Sequence, residues 1–213
     1  MFPLSQPQNK LPKGPDQGGR WAILGGVFDP VHSGHLTLAD DFLRTGRFDG
    51  ILFTPSYNPP HKRFEAHASY DDRVNMLRLA LKDHPRFVIS MAESEMDEPG
   101  YTLNVVRWLK KRYPEAEFSF IMGADNIRDM KNWHQPEKIL EELPVLAGAR
   151  PGYERPGSDE FPGNRIEFIP TSKVDVSATM IRERISEGMG RKELAQFVPE
   201  KVANYIVKRK LYR

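Results

Sequence analysis

Residues 21–36, WAILGGVFDPVHSGHL, indicate the fold class because a strand pattern and a helix pattern meet in them. The first four of these residues form a short apolar run that is typical of a buried strand. Gly25 and Gly26 then allow a tight turn, and apolar residues at helical spacing follow from Leu36 to Leu43. A strand that ends in a glycine turn and leads into a helix indicates the first half of a strand–helix–strand unit.

The same alternation continues along the chain. Five further strands are predicted, at residues 50–55, 86–90, 117–123, 143–148 and 165–170, and helical patterns lie near residues 74–81, 103–109, 180–187 and 202–210. Strands that alternate with helices predict an α/β fold whose mainly parallel sheet is covered by helices on both faces. In such a sheet, ligands bind beyond the carboxyl ends of the strands, and the functional residues are expected there.

Length and composition exclude several classes of protein. The 213 residues carry 31 basic and 29 acidic side chains, a net charge of +2, which does not favour a nucleic-acid partner. No apolar run approaches the ~20 residues of a spanning helix, so a membrane partner is not expected either. The absence of cysteine excludes disulfides and thiolate chemistry and fits a cytoplasmic protein. Residues 1–19, rich in Pro and Gln, are predicted to be a disordered tail, and residues 20–213 a single domain.

The turn after the first strand is a candidate phosphate site, which offers the backbone amides of Gly25, Gly26, Val27 and Phe28. His32 and His35 lie three residues apart at the start of the helix. Both imidazoles can therefore face the helix N-terminus, where free N–H groups and the helix dipole favour negative charge. Two histidines can instead ligate a metal, but only Asp29 or Asp40 stands nearby as a third ligand. The segment matches neither the dinucleotide-binding fingerprint nor the P-loop.

A second candidate anion site lies in VDVSATMIRERI, residues 174–185. Ser177 is placed to cap the helix that follows, and Ser177, Thr179 and the free amides can donate hydrogen bonds to an anion at the helix start. Arg182 can add a bidentate contact to phosphate. The alternative is an ordinary capped helix with an exposed arginine. If both helix starts face one cavity, they can hold a polyphosphate from two sides.

GGVFDPVHSGHL together with VSATMIR resembles the signatures of the HxGH nucleotidylyltransferase superfamily, and the first pattern is similar to that of its bacterial nicotinate-nucleotide adenylyltransferases. The resemblance implies a Rossmann-like, doubly wound fold in which His32 and His35 hold the phosphates of ATP and Arg182 assists them. It also implies that Lys62, in a PPHK loop, reaches those phosphates, and that Asp125, in a GAD motif, accepts hydrogen bonds from a ribose. Without the resemblance, Lys62 is an ordinary solvated side chain and Asp125 a helix cap.

Three further residues are candidates for contact with the second substrate. Trp133, in a loop-like segment, can stack on a planar ring or can pack against the core. The resemblance places the matching tryptophan in a pocket for a pyridine ring. It also implies that Thr102 and the backbone N–H of His134 seat a nicotinate carboxylate. Gly100 stands where members of the family often carry serine.

The activity that the resemblance implies is adenylyl transfer from ATP to nicotinate mononucleotide, which yields deamido-NAD and pyrophosphate in NAD biosynthesis. A phosphate is itself the nucleophile in this chemistry, so the protein has to position the substrates and neutralise charge. Mg²⁺ is expected to arrive bound to the nucleotide, without a protein metal site, and NAD is not expected as a cofactor. The alternatives are a sibling enzyme acting on nicotinamide mononucleotide, phosphopantetheine or another phosphate acceptor, and a nucleotide sensor without activity. The sequence leaves a homo-oligomer open.

Overall fold

The computed structural model describes residues 14–57, 66–153 and 165–213, which are built around a sheet of six parallel strands. The strands are β1 (Gly19–Gly26), β2 (Gly50–Pro55), β3 (Phe87–Ile89), β4 (Ala116–Gly123), β5 (Val145–Ala149) and β6 (Ile166–Pro170). Their order across the sheet is β3-β2-β1-β4-β5-β6. This is the doubly wound, Rossmann-type order, so the predicted fold class is confirmed. The order reverses between β1 and β4, and ligands of such sheets bind at that point.

Helices cover both faces of the sheet. In the described residues they are α1 (Ser33–Arg44), α2 (Tyr70–Leu81), α3 (Ala92–Glu95), α4 (Thr102–Arg112), α5 (Ile127–Met130), α6 (Pro136–Glu142), α7 (Ala178–Ser186), α8 (Arg191–Leu194) and α9 (Glu200–Arg209). Within these same ranges, no helix is both long and apolar enough to span a membrane.

Neighbouring residues of β1 point to opposite faces of the sheet. Ala22 and Leu24 join the core formed with α1, α2, α7 and α9, whereas Trp21 and Ile23 join the core formed with α4, α5 and α6. All four side chains are buried, as expected for a strand between two helical layers. The central strand is thus fixed from both sides, and its glycine end is held at the edge where the site lies.

Regular structure is already found in residues that the sequence analysis places in the tail. Residues 14–19 belong to the predicted tail, yet Pro15 is buried in a short 3₁₀ turn and Gly19 is already part of β1. The indole N–H of Trp21 donates to the Gly18 carbonyl at 2.8 Å, which ties this turn to the sheet. The tail boundary at residue 19 is therefore too late, because composition alone does not reveal such a contact. Residues 1–13 lie outside the described residues, and for them the tail stays a prediction.

Candidate active site

A cavity of about 690 Å³ lies at the carboxyl ends of β1 and β4, where the strand order reverses. Its lining contains every predicted site residue that the structure describes: Gly25, Gly26, Val27, Phe28, His32, His35, Thr102, Asp125, Trp133, His134, Ser177, Thr179 and Arg182. Lys62 and the rest of its PPHK loop lie outside the described residues, so its contact with phosphate stays a prediction. Two motifs that are distant in sequence therefore share one space, whose size is typical of ligand sites.

The two histidines at the start of α1 stack on each other. Their ring centroids are 3.8 Å apart, at an interplanar angle of 27°. His35 Nδ1 accepts a hydrogen bond from the His32 backbone N–H at 3.2 Å. A neutral His35 therefore carries its proton on Nε2, which can donate to a ligand. One expected donor at this helix start is not free, since the Ser33 N–H donates to the Phe197 carbonyl at 2.8 Å.

Burial keeps both imidazoles neutral near pH 7. Desolvation lowers the pKa of His32 to about 4. Desolvation, together with the neighbouring His32, lowers the pKa of His35 well below its ordinary value. The cause is that burial removes the water that stabilises an imidazolium.

The start of α7 lies against the start of α1. Ser177 Oγ accepts the Met180 N–H at 3.1 Å, so Ser177 caps α7 as predicted. A Cβ built on Gly34 would lie 3.1 Å from Val176 Cγ1 and 3.1 Å from His32 Nδ1. That histidine nitrogen is buried and has no hydrogen-bond partner in the described part of the chain. Gly34 is therefore the small residue that lets the two segments approach each other.

Arg182 connects the two motifs directly. Its Nη1 donates to the backbone carbonyl of Asp29 at 2.7 Å, and its Nη2 donates to Thr179 Oγ1 at 3.2 Å. Each terminal nitrogen carries a second hydrogen, so a bidentate contact with phosphate remains available. The alternative of an ordinary exposed arginine is wrong, because the partly buried side chain binds a segment 153 residues away.

The glycine turn after β1 is held from within the protein. Arg73, which is 1% exposed, donates from Nη1 to the Val27 carbonyl at 2.7 Å. Phe28 has a φ of 53°, a conformation that bulky residues rarely adopt, and its ring contacts His35 edge-on with centroids 5.0 Å apart. These contacts fix the backbone of the turn before any ligand binds.

Asp125 forms an ion pair and does not cap a helix. Neither the 3₁₀ turn Ala124–Asn126 nor α5 after it has a side-chain cap. The carboxylate of Asp125 instead pairs with Arg150, which also lies 3.6 Å from Asp175. The Asp125 side chain is 58% exposed, so a ligand can reach it. A ribose at this position would share the carboxylate with Arg150, a cavity residue to which the sequence analysis assigns no role.

A third helix start reaches the cavity. Thr102 is the first residue of α4, and the N-cap residue Tyr101 makes no side-chain hydrogen bond to the free N–H groups. The His134 ring stacks on Tyr101 with centroids 4.4 Å apart. Trp133 contacts Phe120 edge-on at 5.7 Å and packs against the core, so its packing role is observed while its stacking role stays a prediction. The positive end of α4 suits a carboxylate.

Asp29 is a buried carboxylate that holds backbone. Its side chain is 3% exposed and accepts the N–H groups of His67 at 2.6 Å and Ala68 at 3.2 Å. The alternative in which it completes a metal site with the two histidines is not supported. Across the described ranges, no three histidine or carboxylate side chains converge as metal ligands do.

Glu93, in α3, is a cavity residue that the sequence analysis misses. Its Oε2 accepts the Tyr57 N–H at 2.9 Å, and burial raises its pKa to about 7. A Cβ built on Gly100 would lie 2.3 Å from Glu93 Oε2, so the carboxyl group fills the space that a larger residue at position 100 needs. The only hint of Glu93 in the sequence is indirect: Gly100, whose missing side chain leaves room for the Glu93 carboxyl group, stands where members of the similar family often carry serine.

The sequence is similar to those of known proteins over most of the chain. The cytidylyltransferase-like family model matches residues 23–184. A probable nicotinate-nucleotide adenylyltransferase of Geobacillus thermodenitrificans is 38% identical over 194 residues, which cover 91% of this chain and 86% of the relative. The nicotinate-nucleotide adenylyltransferase of Bacillus subtilis is 36% identical over 192 residues, which cover 89% of this chain and 96% of the relative.

Solved structures with the same fold are also found. Plasmodium falciparum nicotinic acid mononucleotide adenylyltransferase complexed with NaAD superposes with a TM-score of 0.76 at 20% identity, over 91% of this chain and 97% of that chain. The same enzyme complexed with APC superposes with a TM-score of 0.74. At this level of identity the likeness supports the fold.

Proposed function

We propose that this chain, which belongs to the cytidylyltransferase-like family and within it to the nicotinate-nucleotide adenylyltransferases, transfers the adenylyl group of ATP to nicotinate mononucleotide. An oxygen of the mononucleotide phosphate attacks the α-phosphorus of ATP. The bond from that phosphorus to the oxygen bridging to the β-phosphate breaks, and pyrophosphate leaves with the bonding electrons. The products are deamido-NAD and pyrophosphate.

The observation that carries the proposal is the meeting of the two anion motifs. The start of α1, with His32 and His35, and the start of α7, with Arg182, line one cavity. The 2.7 Å hydrogen bond from Arg182 to the Asp29 carbonyl joins them before substrate binds. Negative charge that develops on the leaving pyrophosphate would meet donors that are already in place, and such preorganised donors lower a barrier.

ATP is assigned to this end of the cavity. In the proposal its phosphates contact the amides of Gly25, Gly26, Val27 and Phe28 together with Ser177 and Thr179, and Lys62 approaches from the loop outside the described residues. The Asp125 carboxylate accepts hydrogen bonds from the ribose hydroxyls and keeps its ion pair with Arg150. Mg²⁺ enters as part of the ATP substrate and keeps mainly phosphate and water ligands. The proposed setting is the cytoplasm, which the absence of cysteine supports.

The acceptor is assigned to the start of α4. Thr102 opens this helix, and Trp133 and His134 line the same cavity. A helix N-terminus stabilises an anion by about 0.3–1 kcal/mol, and by up to about 2 kcal/mol where it is partly buried. The nicotinate carboxylate gains this energy and the neutral nicotinamide does not, which corresponds to a preference of roughly 2- to 30-fold for the acid.

Pyrophosphate release tests the proposal. The purified chain receives MgATP with nicotinate mononucleotide, and in parallel with nicotinamide mononucleotide, with phosphopantetheine or with no acceptor. We expect turnover with the nicotinate form and a lower kcat/KM with the amide form. A higher kcat/KM for either other acceptor would make the chain a sibling enzyme. Binding of ATP without turnover on any acceptor would make it a nucleotide sensor.

A further inference from the structure

Four segments of the chain meet at Asp29, which lies in the loop between β1 and the two histidines at the start of α1. The His67 and Ala68 amides, in the segment that leads into α2, donate to its carboxylate. Arg182, on α7, donates to its backbone carbonyl at 2.7 Å. The hydroxyl of Tyr212, in the segment after α9, donates to Oδ1 at 2.6 Å. The carboxylate and the backbone carbonyl of Asp29 thus link this loop to α7 and to the segments before α2 and after α9.

Tyr212 reaches Asp29 because the chain turns back after α9. Lys210, which ends that helix, and Tyr212 have φ values of 54° and 64°, in the left-handed region that such residues rarely adopt. A backbone of this kind persists where surrounding contacts compensate for its cost. The Tyr212 ring packs against the core, with its hydroxyl 4.0 Å from Met76 Sδ. Burial and the adjacent Asp29 raise the pKa of the phenol, so it stays a donor.

We propose that Tyr212 is a positioning residue for adenylyl transfer, which acts on Arg182 through Asp29. Tyr212 is not among the residues that line the cavity. Its hydroxyl and the His67 and Ala68 amides hold the Asp29 carboxylate, and the fixed Asp29 peptide presents its carbonyl to Arg182 Nη1. Loss of the hydroxyl leaves a buried carboxylate oxygen short of a donor, and the peptide shifts as that oxygen finds another partner. The inference rests on the proposed function, since turnover is what Arg182 serves.

Tyr205 provides a matched control. Its hydroxyl donates to Asp72 Oδ1 at 2.8 Å, and Asp72 is 6% exposed. Neither residue is among those that line the cavity. Tyr205→Phe removes this phenol–carboxylate hydrogen bond, together with the 3.3 Å hydrogen bond that the hydroxyl accepts from Asn75 Nδ2, and it removes no contact of Asp29 or Arg182.

Tyr212→Phe is expected to lower kcat about ten-fold and to change the KM for ATP by less than about two-fold. The expected loss in kcat is smaller than the roughly 100-fold that a misplacement of about 1 Å can cost. Tyr205→Phe is expected to leave kcat within about two-fold of wild type, since it removes no contact of the site. Thermal unfolding of both variants is measured beside the kinetics, and a fall in Tm is expected for both because each loses a phenol–carboxylate hydrogen bond.

A double-mutant cycle separates positioning from a general structural loss. If Tyr212 acts through Arg182, Tyr212→Phe slows the wild-type enzyme but has little further effect in the Arg182→Ala background. Equal fold-losses in both backgrounds overturn the inference, as do equal kcat values for the two tyrosine variants. A wild-type chain that releases no pyrophosphate contradicts the proposed function instead, so the two failures are distinguishable.

Discussion

Replacing Glu93 with glutamine is expected to change how the stability of this protein depends on pH. In the folded chain, burial raises the pKa of Glu93 from 4.5 to about 7. The unfolded chain thus releases this proton near pH 4.5, and the folded chain releases it only near pH 7. The stabilising effect of this proton is fully present below pH 4.5 and is lost as the pH rises to 7. Glutamine does not titrate, and its side-chain oxygen can still accept the Tyr57 N–H.

The magnitude follows from the two pKa values. The difference between 4.5 and about 7 corresponds to about 3.4 kcal/mol. Partial exposure of the side chain reduces this figure, and part of it falls below pH 5, so we expect about 2 kcal/mol between pH 5 and 8. Over that interval, the free energy of unfolding of Glu93→Gln should therefore rise by about 2 kcal/mol relative to wild type.

Urea unfolding of both proteins at several pH values between 5 and 8 measures this difference. The pKa of His32 is lowered to about 4, but that group titrates in both proteins and cancels from the comparison. Glu95→Gln, at an exposed position of the same helix, serves as the control and should stay within about 0.5 kcal/mol of wild type throughout. If the free energies of unfolding of wild type and Glu93→Gln change in parallel with pH, Glu93 ionises as an ordinary surface carboxyl group does and its burial has no such effect.

Three further predictions concern the site and the sheet. His32→Ala and Arg182→Ala are each expected to lower kcat by about 10²–10³-fold in the pyrophosphate assay, because removal of one oxyanion donor costs about that much. If ATP still binds and the rates are unchanged, these side chains do not contact the phosphates. Trp133→Ala is expected to raise the KM for the acceptor far more than the KM for ATP, because stacking of a ring is worth about 1–3 kcal/mol. Equal increases of the two KM values would show that Trp133 does not contact the acceptor. Gly50→Ala would place a Cβ 2.3 Å from the buried ring of Trp21. Overpacking of this kind costs about 1–3 kcal/mol, and each kcal/mol lowers Tm by about 2–4 °C. An unchanged Tm in calorimetry would show that the sheet shifts to make room for the added methyl group.

The sheet is predictable from sequence because its strands are short apolar runs, four of which, β1, β2, β4 and β6, end at glycine or proline. The strand predicted at residues 50–55 coincides with β2, Gly50–Pro55, in which every residue is buried. The helices with a long periodic pattern are likewise predicted. The helices α3, α5, α6 and α8 are not, since each has seven residues or fewer and so shows less than two turns of periodicity.

The site is predictable only in part. His32, His35 and Arg182 stand out because each lies in a short motif at the start of a helix, and the structure brings all three to one cavity. Glu93 and Arg150 carry no such local signal. The burial of Glu93 and the pairing of Arg150 with Asp125 arise from segments that meet only in the folded chain. Periodicity and motif spacing describe neighbours along the sequence and contain no information about such contacts.

The contacts of Asp29 also set an order of events while the chain is being made. Arg182 and Tyr212 lie 153 and 183 residues after Asp29. At a synthesis rate of about 5–20 residues per second, Tyr212 is added roughly 9–37 s after Asp29. During that interval the first strands and helices can form, but the loop with the two histidines lacks the guanidinium and the phenol that fix it. A nascent chain on the ribosome therefore lacks both of these contacts to Asp29 until residue 212 has been added, so the loop reaches its final arrangement only late in synthesis.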